Sequence, residues 1–177
     1  MRLPLVIYPA PQLAEPSVPV VEVNENLRTL AADMAETMYE NDGIGLAAPQ
    51  VGHNIRMIVV DVTGPEKHEG LMILLNPVLT PVEEEGFIIG EEGCLSVPLQ
   101  YRAKVERAAK VRVQATDLDG KDIDFEAEDL LAVCLQHETD HLDGVLFLDH
   151  LSHLKRSMYD ARLRKRGTRR VENAPLI

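Results

Sequence analysis

The sequence predicts an α+β fold, with helices packed on an antiparallel sheet. Three observations predict it. Apolar residues fall at helical spacing near the start and again near the end of the chain. Between these stretches lie short runs rich in Val, Ile and Leu, one of which alternates with period two. The segment Asp117-Leu118-Asp119-Gly120 is a hairpin turn signal, and strands joined by a hairpin are antiparallel. A chain of 177 residues suits one compact domain.

Taken in order, residues 1–23 carry five prolines, Pro4, Pro9, Pro11, Pro16 and Pro19. Proline lacks the N–H that a helix needs, so this stretch predicts an extended arm across the surface. Leu27, Leu30, Ala31, Met34 and Met38 then predict a helix over 26–40, with Asn24 or Asn26 as N-cap and Asp42-Gly43 as its end. Gly43 to Gln50 is expected to be a loop. Arg56–Val62 predicts a strand, and Leu71–Leu75 with Val78–Leu79 another, broken by Asn76-Pro77. Gly86–Gly90 is short and apolar. Val105 to Ala115 reads as one strand, and Ile123–Ala127 as its return after the turn. Glu128 or Asp129 can cap a helix over 129–142, ended by Asp143-Gly144. A last helix is expected over 150–165. Residues 1–165 are expected to form a single catalytic domain and 166–177 a basic, flexible tail.

Composition narrows the classes of function. The net charge of −11 is unevenly spread, because residues 155–177 hold eight basic and two acidic side chains. The tail is therefore +6 and the remainder −17. An acidic body disfavours general nucleic-acid binding, while a basic end can dock on an anionic surface or simply be solvated. No apolar run is long enough for a membrane span. The proline-broken start resembles neither a signal nor a transit peptide, so a cytoplasmic protein is expected. Two cysteines, Cys94 and Cys134, do not make a disulfide framework.

The chemical signal is His137-Glu138-Thr139-Asp140-His141. Residues four apart share a helix face, so the two imidazoles can grip one metal ion, and Glu138 can reach a water beside it as general base. The pattern lies on an apolar helix, where unpaired histidines and a glutamate would be costly to bury. The third ligand has to be found elsewhere. The metzincin pattern needs a histidine at position 147, which is Phe147. A thermolysin-like site needs a downstream glutamate, and the only one is Glu172. Cys134 precedes His141 by seven residues, about 10 Å along the axis. Ligand atoms lie only about 2.0–2.3 Å from the ion. A rigid helix does not readily span that, so Cys134 reads as a small core residue. Cys94 can approach from a separate element, completing a Cys-His-His set with an open fourth position.

Three segments now stand in order: Gly43-Ile44-Gly45-Leu46-Ala47-Ala48-Pro49-Gln50, Glu92-Gly93-Cys94-Leu95-Ser96, and Gln136-His137-Glu138-Thr139-Asp140-His141. Together they resemble the peptide deformylase family, over about residues 5–165. The resemblance implies antiparallel sheets packed around a central metal-binding helix, with a C-terminal helix. It implies a metal-dependent hydrolase that removes the formyl group from the N-terminal formylmethionine of new proteins, releasing formate. The alternative is a metallopeptidase cleaving ordinary peptide bonds. The implied metal ligands are Cys94, His137 and His141, with Glu138 as acid/base. Gln50 and the Leu95 N–H would hold the developing oxyanion. Gly45, Ile44 and Arg102 would bind substrate, although the spacing before Arg102 is shifted by a residue. Ile44, Leu46 and Cys134 could line a pocket for the methionine side chain or equally be core. The implied cofactor is one divalent ion, Fe²⁺, with Zn²⁺, Ni²⁺ or Co²⁺ able to substitute. The implied partners are N-formylmethionyl nascent peptides, with ribosome docking through the basic C-terminal segment an added expectation.

Overall fold

The computed structural model describes residues 1–168. Among the described residues there are three α-helices, α1 (Glu25–Glu40), α2 (Asp129–Leu142) and α3 (His153–Thr168). Seven strands accompany them: β1 (Gly45–Ala47), β2 (Met57–Val60), β3 (Met72–Pro81), β4 (Phe87–Glu92), β5 (Ala103–Ala108), β6 (Lys110–Thr116) and β7 (Asp122–Glu128). An antiparallel sheet runs β1-β2-β3-β6-β7, and β4 and β5 form a separate two-stranded ribbon. The α+β expectation holds, with α2 between the large sheet and the ribbon.

Alternation in β2 explains the layers. Successive strand residues point to opposite faces. Ile58 and Val60 pack with Leu135 and Leu142 of α2, while Met57 and Val59 pack with Met34 and Met38 of α1. The strand is thus buried on both faces. Each of these side chains contributes roughly 1.5–3 kcal/mol by leaving water.

The sequence boundaries need four corrections. The expected loop at 43–50 contains β1, whose Leu46 pairs with Val59, followed by a 3-10 turn over Ala48–Val51. Three residues are too short a run to show periodicity. Asn76-Pro77 does not break β3. It makes a bulge between Leu75 and Val78, with Asn76 at φ 50° and its amide hydrogen-bonded to both backbone groups of Val20 at 2.8 Å. The single strand expected over 105–115 is two strands that belong to different sheets. The chain switches sheet after Ala108, whose N–H and C=O bond the Gln136 side chain at 3.0 and 2.9 Å. The last helix starts at His153, after a 3-10 turn over Phe147–His150.

The proline-rich arm runs across the surface as expected and braces the loops near α2. The Val6 N–H donates to Gln50 O at 2.7 Å, and Tyr8 N–H to Ser96 O at 2.8 Å. α3 closes the other side. Tyr159 is buried against Tyr101, with ring centroids 4.4 Å apart, and donates to Pro98 O at 3.1 Å. The basic tail expected at 166–177 lies largely outside the described residues.

Candidate metal centre

Helix α2 presents Cys134, His137, Glu138 and His141 as one stripe, and the structure buries all four. Cys94 arrives from the turn after β4. One donor atom from each of Cys94, His137 and His141 lies within 4.8 Å of the other two. Cys94 Sγ is 3.3 Å from His141 Nε2. A soft thiolate and two imidazoles make a donor set for a late first-row divalent ion. Cys134 stands apart from this group, beside Gly45 and the carbonyl of Ile44.

The electrostatics fit a cation. Burial alone would lower the His137 pKa, but Cys94, Glu92 and Glu138 around it raise it well above its usual value. Positive charge is therefore favoured at that point. Burial pushes His141 the other way, toward the neutral form that ligates metals. Glu138 is 4% exposed, and burial pushes its carboxyl up to about 7. Its Oε2 has no hydrogen-bond partner. A buried carboxylate oxygen without a partner is rare where it has no chemical task.

Gln50 is held from both ends. Its Oε1 accepts from the Ala47 N–H at 2.8 Å, and its Nε2 donates to Ser96 Oγ at 3.1 Å and toward Cys94 Sγ at 3.4 Å. The amide orientation is thereby fixed, with its N–H side toward the centre. Gly45 is required by close approach. A Cβ there would lie 2.4 Å from Glu138 Oε1 and 2.8 Å from Cys134 Sγ. Leu95 follows Cys94 directly and packs its side chain toward α1. Ile44 is half-buried against the α2-side core, whereas Leu46 is wholly buried within the α1-side core. Arg102 is exposed, with its side chain over Gly93 beside Cys94.

Four residues had no assigned role in the sequence. Glu92 Oε1 lies 2.8 Å from His137 Nδ1, which leaves Nε2 of that ring for a metal. Arg107 grips both oxygens of Glu92 at 2.8 Å and reaches Asp140 at 2.6 Å. Burial would raise the Glu92 pKa, but Arg107 and His137 hold it down at about 2. Ser96 orients Gln50. The available signal was Arg107 itself. It shares an inward strand position with Val105, where a charge needs a buried partner.

The whole chain has close relatives. The sequence model described as "Polypeptide deformylase" matches residues 2–157. A protein of Psychrobacter arcticus named peptide deformylase is 50% identical over 163 residues, covering 92% of this chain and 86% of that protein. The protein of that name from Brucella suis is 46% identical, covering 98% of both chains. The crystal structure of a peptide deformylase from Legionella pneumophila superposes with a TM-score of 0.88 at 40% identity, covering 98% of this chain and 100% of that one. That of Synechococcus elongatus, in complex with actinonin, gives 0.81 at 37% identity, covering 93% and 86%.

Proposed function

The chain belongs to the polypeptide deformylase family, and from that premise we propose that it removes the formyl group from N-formylmethionyl peptides. The observation that carries the reading is the buried Glu138 carboxylate, with Oε2 unpartnered, on the same helix stripe as His137 and His141.

We assign Cys94, His137 and His141 as the ligands of one divalent ion, Fe²⁺ in its working form, with Zn²⁺, Ni²⁺ or Co²⁺ able to substitute. When bound, such an ion supplies Lewis acidity toward water and the formyl oxygen. Glu138 accepts the proton of the attacking water and passes it to the leaving amine, a transfer suited to a carboxyl titrating near 7. The Gln50 amide and the Leu95 N–H donate to the formyl oxygen as negative charge builds there. One such donor is commonly worth about 3–4 kcal/mol in the transition state. Gly45 and Ile44 line the approach, and Arg102 on the rim binds the peptide beyond the methionine. A formyl carbon carries only hydrogen, so the wall around Gly45 admits it and excludes larger acyl groups.

The products are formate and a free N-terminus, which places the enzyme in protein biosynthesis. Among the described residues no helix is long and apolar enough to cross a membrane, which is compatible with a cytoplasmic site of action. Lys155, Arg162, Arg164, Lys165 and Arg166 give α3 a basic surface, for which ribosomal RNA is the proposed partner. Tyr159 is core, so that partner is tested by Arg162→Glu with Arg166→Glu rather than by removing 155–177. Loss of salt-dependent ribosome binding is expected, and unchanged binding would end the idea.

The activity is tested with one peptide in formyl, acetyl and unblocked forms. Formate release from the first alone is expected. Cleavage of the unblocked peptide would instead favour a metallopeptidase.

A further inference from the structure

The turn after β4 supplies more than the Cys94 ligand. Val97 N–H donates to Cys94 O at 3.0 Å, which closes a tight turn carrying Cys94, Leu95 and Ser96 in succession. Ser96 is fully buried and Gln50 nearly so. Backbone contacts hold these two residues at a set spacing. Val6 N–H donates to Gln50 O at 2.7 Å and Tyr8 N–H to Ser96 O at 2.8 Å, so one short stretch of the N-terminal arm grips both. Tyr8 is itself anchored on α3, its OH donating to Asp160 at 2.7 Å.

Both ends of the Gln50 amide are already committed. Oε1 accepts from Ala47 N–H at 2.8 Å, so Nε2 must face the turn. An amide nitrogen carries two hydrogens. Its two acceptors here are Ser96 Oγ at 3.1 Å and Cys94 Sγ at 3.4 Å. To donate to a formyl oxygen, Gln50 has to release one of them. Sulfur is the weaker acceptor, and the contact to it is the longer one. The bond to the hydroxyl therefore stays, and the bond to sulfur is exchanged.

We propose that Ser96 is a positioning residue, which locks the Gln50 amide to the turn bearing the Leu95 N–H and so fixes the two oxyanion donors as one unit. The proposal rests on the deformylase reading of Gln50 and Leu95 given above. Ser96 itself touches no substrate. Its hydroxyl keeps one amide hydrogen throughout, and the other passes from Cys94 Sγ to the formyl oxygen as negative charge builds there. Donors placed beforehand cost no reorganisation at the moment of reaction. Without the hydroxyl, the amide keeps its Oε1 bond and can swing about it. The loss then falls on the transition state and not on substrate binding.

The test is a double-mutant cycle on the full, metal-loaded protein, read as formate release from a formyl-Met peptide. Ser96→Ala removes only the hydroxyl. It should lower kcat about tenfold, with KM within about twofold and metal content unchanged. Gln50→Leu should lower kcat about 100-fold or more. Adding Ser96→Ala to it should then cost less than about twofold, because Ser96 acts through the amide alone. A tenfold loss in both backgrounds would show a separate structural role and overturn the proposal. So would an unchanged kcat, a rise in KM alone, or loss of metal in Ser96→Ala. A second readout needs no turnover. In Zn²⁺-loaded protein, Ser96→Ala should shift the NMR signals of the Gln50 side-chain NH₂ and speed its exchange with water, and unchanged signals would equally overturn the proposal. No formate from the wild type would sink the deformylase reading and this proposal with it, whereas formate release with an additive cycle overturns this proposal alone.

Discussion

Oε1 of Glu92 sits 2.8 Å from Nδ1 of His137, and both side chains are buried. That contact fixes the ring so that Nε2 faces Cys94 and His141. It is held in turn by Arg107, which binds both Glu92 oxygens. Contacts behind a metal ligand typically matter by about 10–100-fold in metal affinity or activity. Arg107→Lys keeps the charge but loses the two-pronged grip. It should weaken metal binding by about tenfold, read by chelator competition. Wild-type affinity in this variant would show that Glu92 holds His137 without help.

The two cysteines are predicted to differ sharply. Cys94→Ser replaces a soft thiolate with a poor ligand and should lower metal affinity by well over about tenfold. Cys134→Ser puts a hydroxyl beside Gly45 and Glu138 and should leave metal content unchanged. The reverse ranking, by elemental analysis of protein prepared without oxygen, would refute the ligand assignment.

Gly45→Ala tests close approach. The added methyl would lie 2.4 Å from Glu138 Oε1, so the carboxylate must move. A misplacement of about 1 Å can cost on the order of 100-fold in rate. Turnover should fall on that scale while the metal stays. Unchanged turnover would mean that Glu138 has room to spare.

Acid stability should depend on Asp61. Its carboxylate is fully buried and accepts from Tyr39 OH at 2.7 Å and from Thr63 N–H and Oγ1 at 2.9 and 2.7 Å. Burial alone would raise its pKa, but these hydrogen bonds win and hold it below the ordinary value. A carboxyl lowered on folding stabilises the fold above its unfolded pKa and loses that contribution as pH falls through the folded one. Asp61→Asn should therefore cost about 1–3 kcal/mol at pH 7. The gap should close as both proteins are taken below the unfolded value of about 3.9. A gap constant with pH, by urea denaturation, would contradict this.

The chemistry was more legible than the fold details. His137, Glu138 and His141 advertise themselves because one helix carries them at fixed spacing. Cys94 could be found by asking what a rigid helix cannot reach. The sheet switch at Ala108 left no local trace, since the amide that satisfies it belongs to Gln136, 28 residues away. Glu92 and Arg107 were hidden for a related reason. Each is a charge that becomes sensible only once the partner is seen beside it. Leu46 shows the opposite limit, because its apolar character suits a pocket and a core equally and only the packing decides.

The central claim is that Glu138 moves the proton while Cys94, His137 and His141 hold the ion. Glu138→Gln keeps the shape and removes the base. Metal content and formate release from a formyl-Met peptide, measured on the same sample, test it most directly. The account predicts unchanged metal and a loss of turnover of about 10³-fold. Full turnover with the metal in place would contradict it.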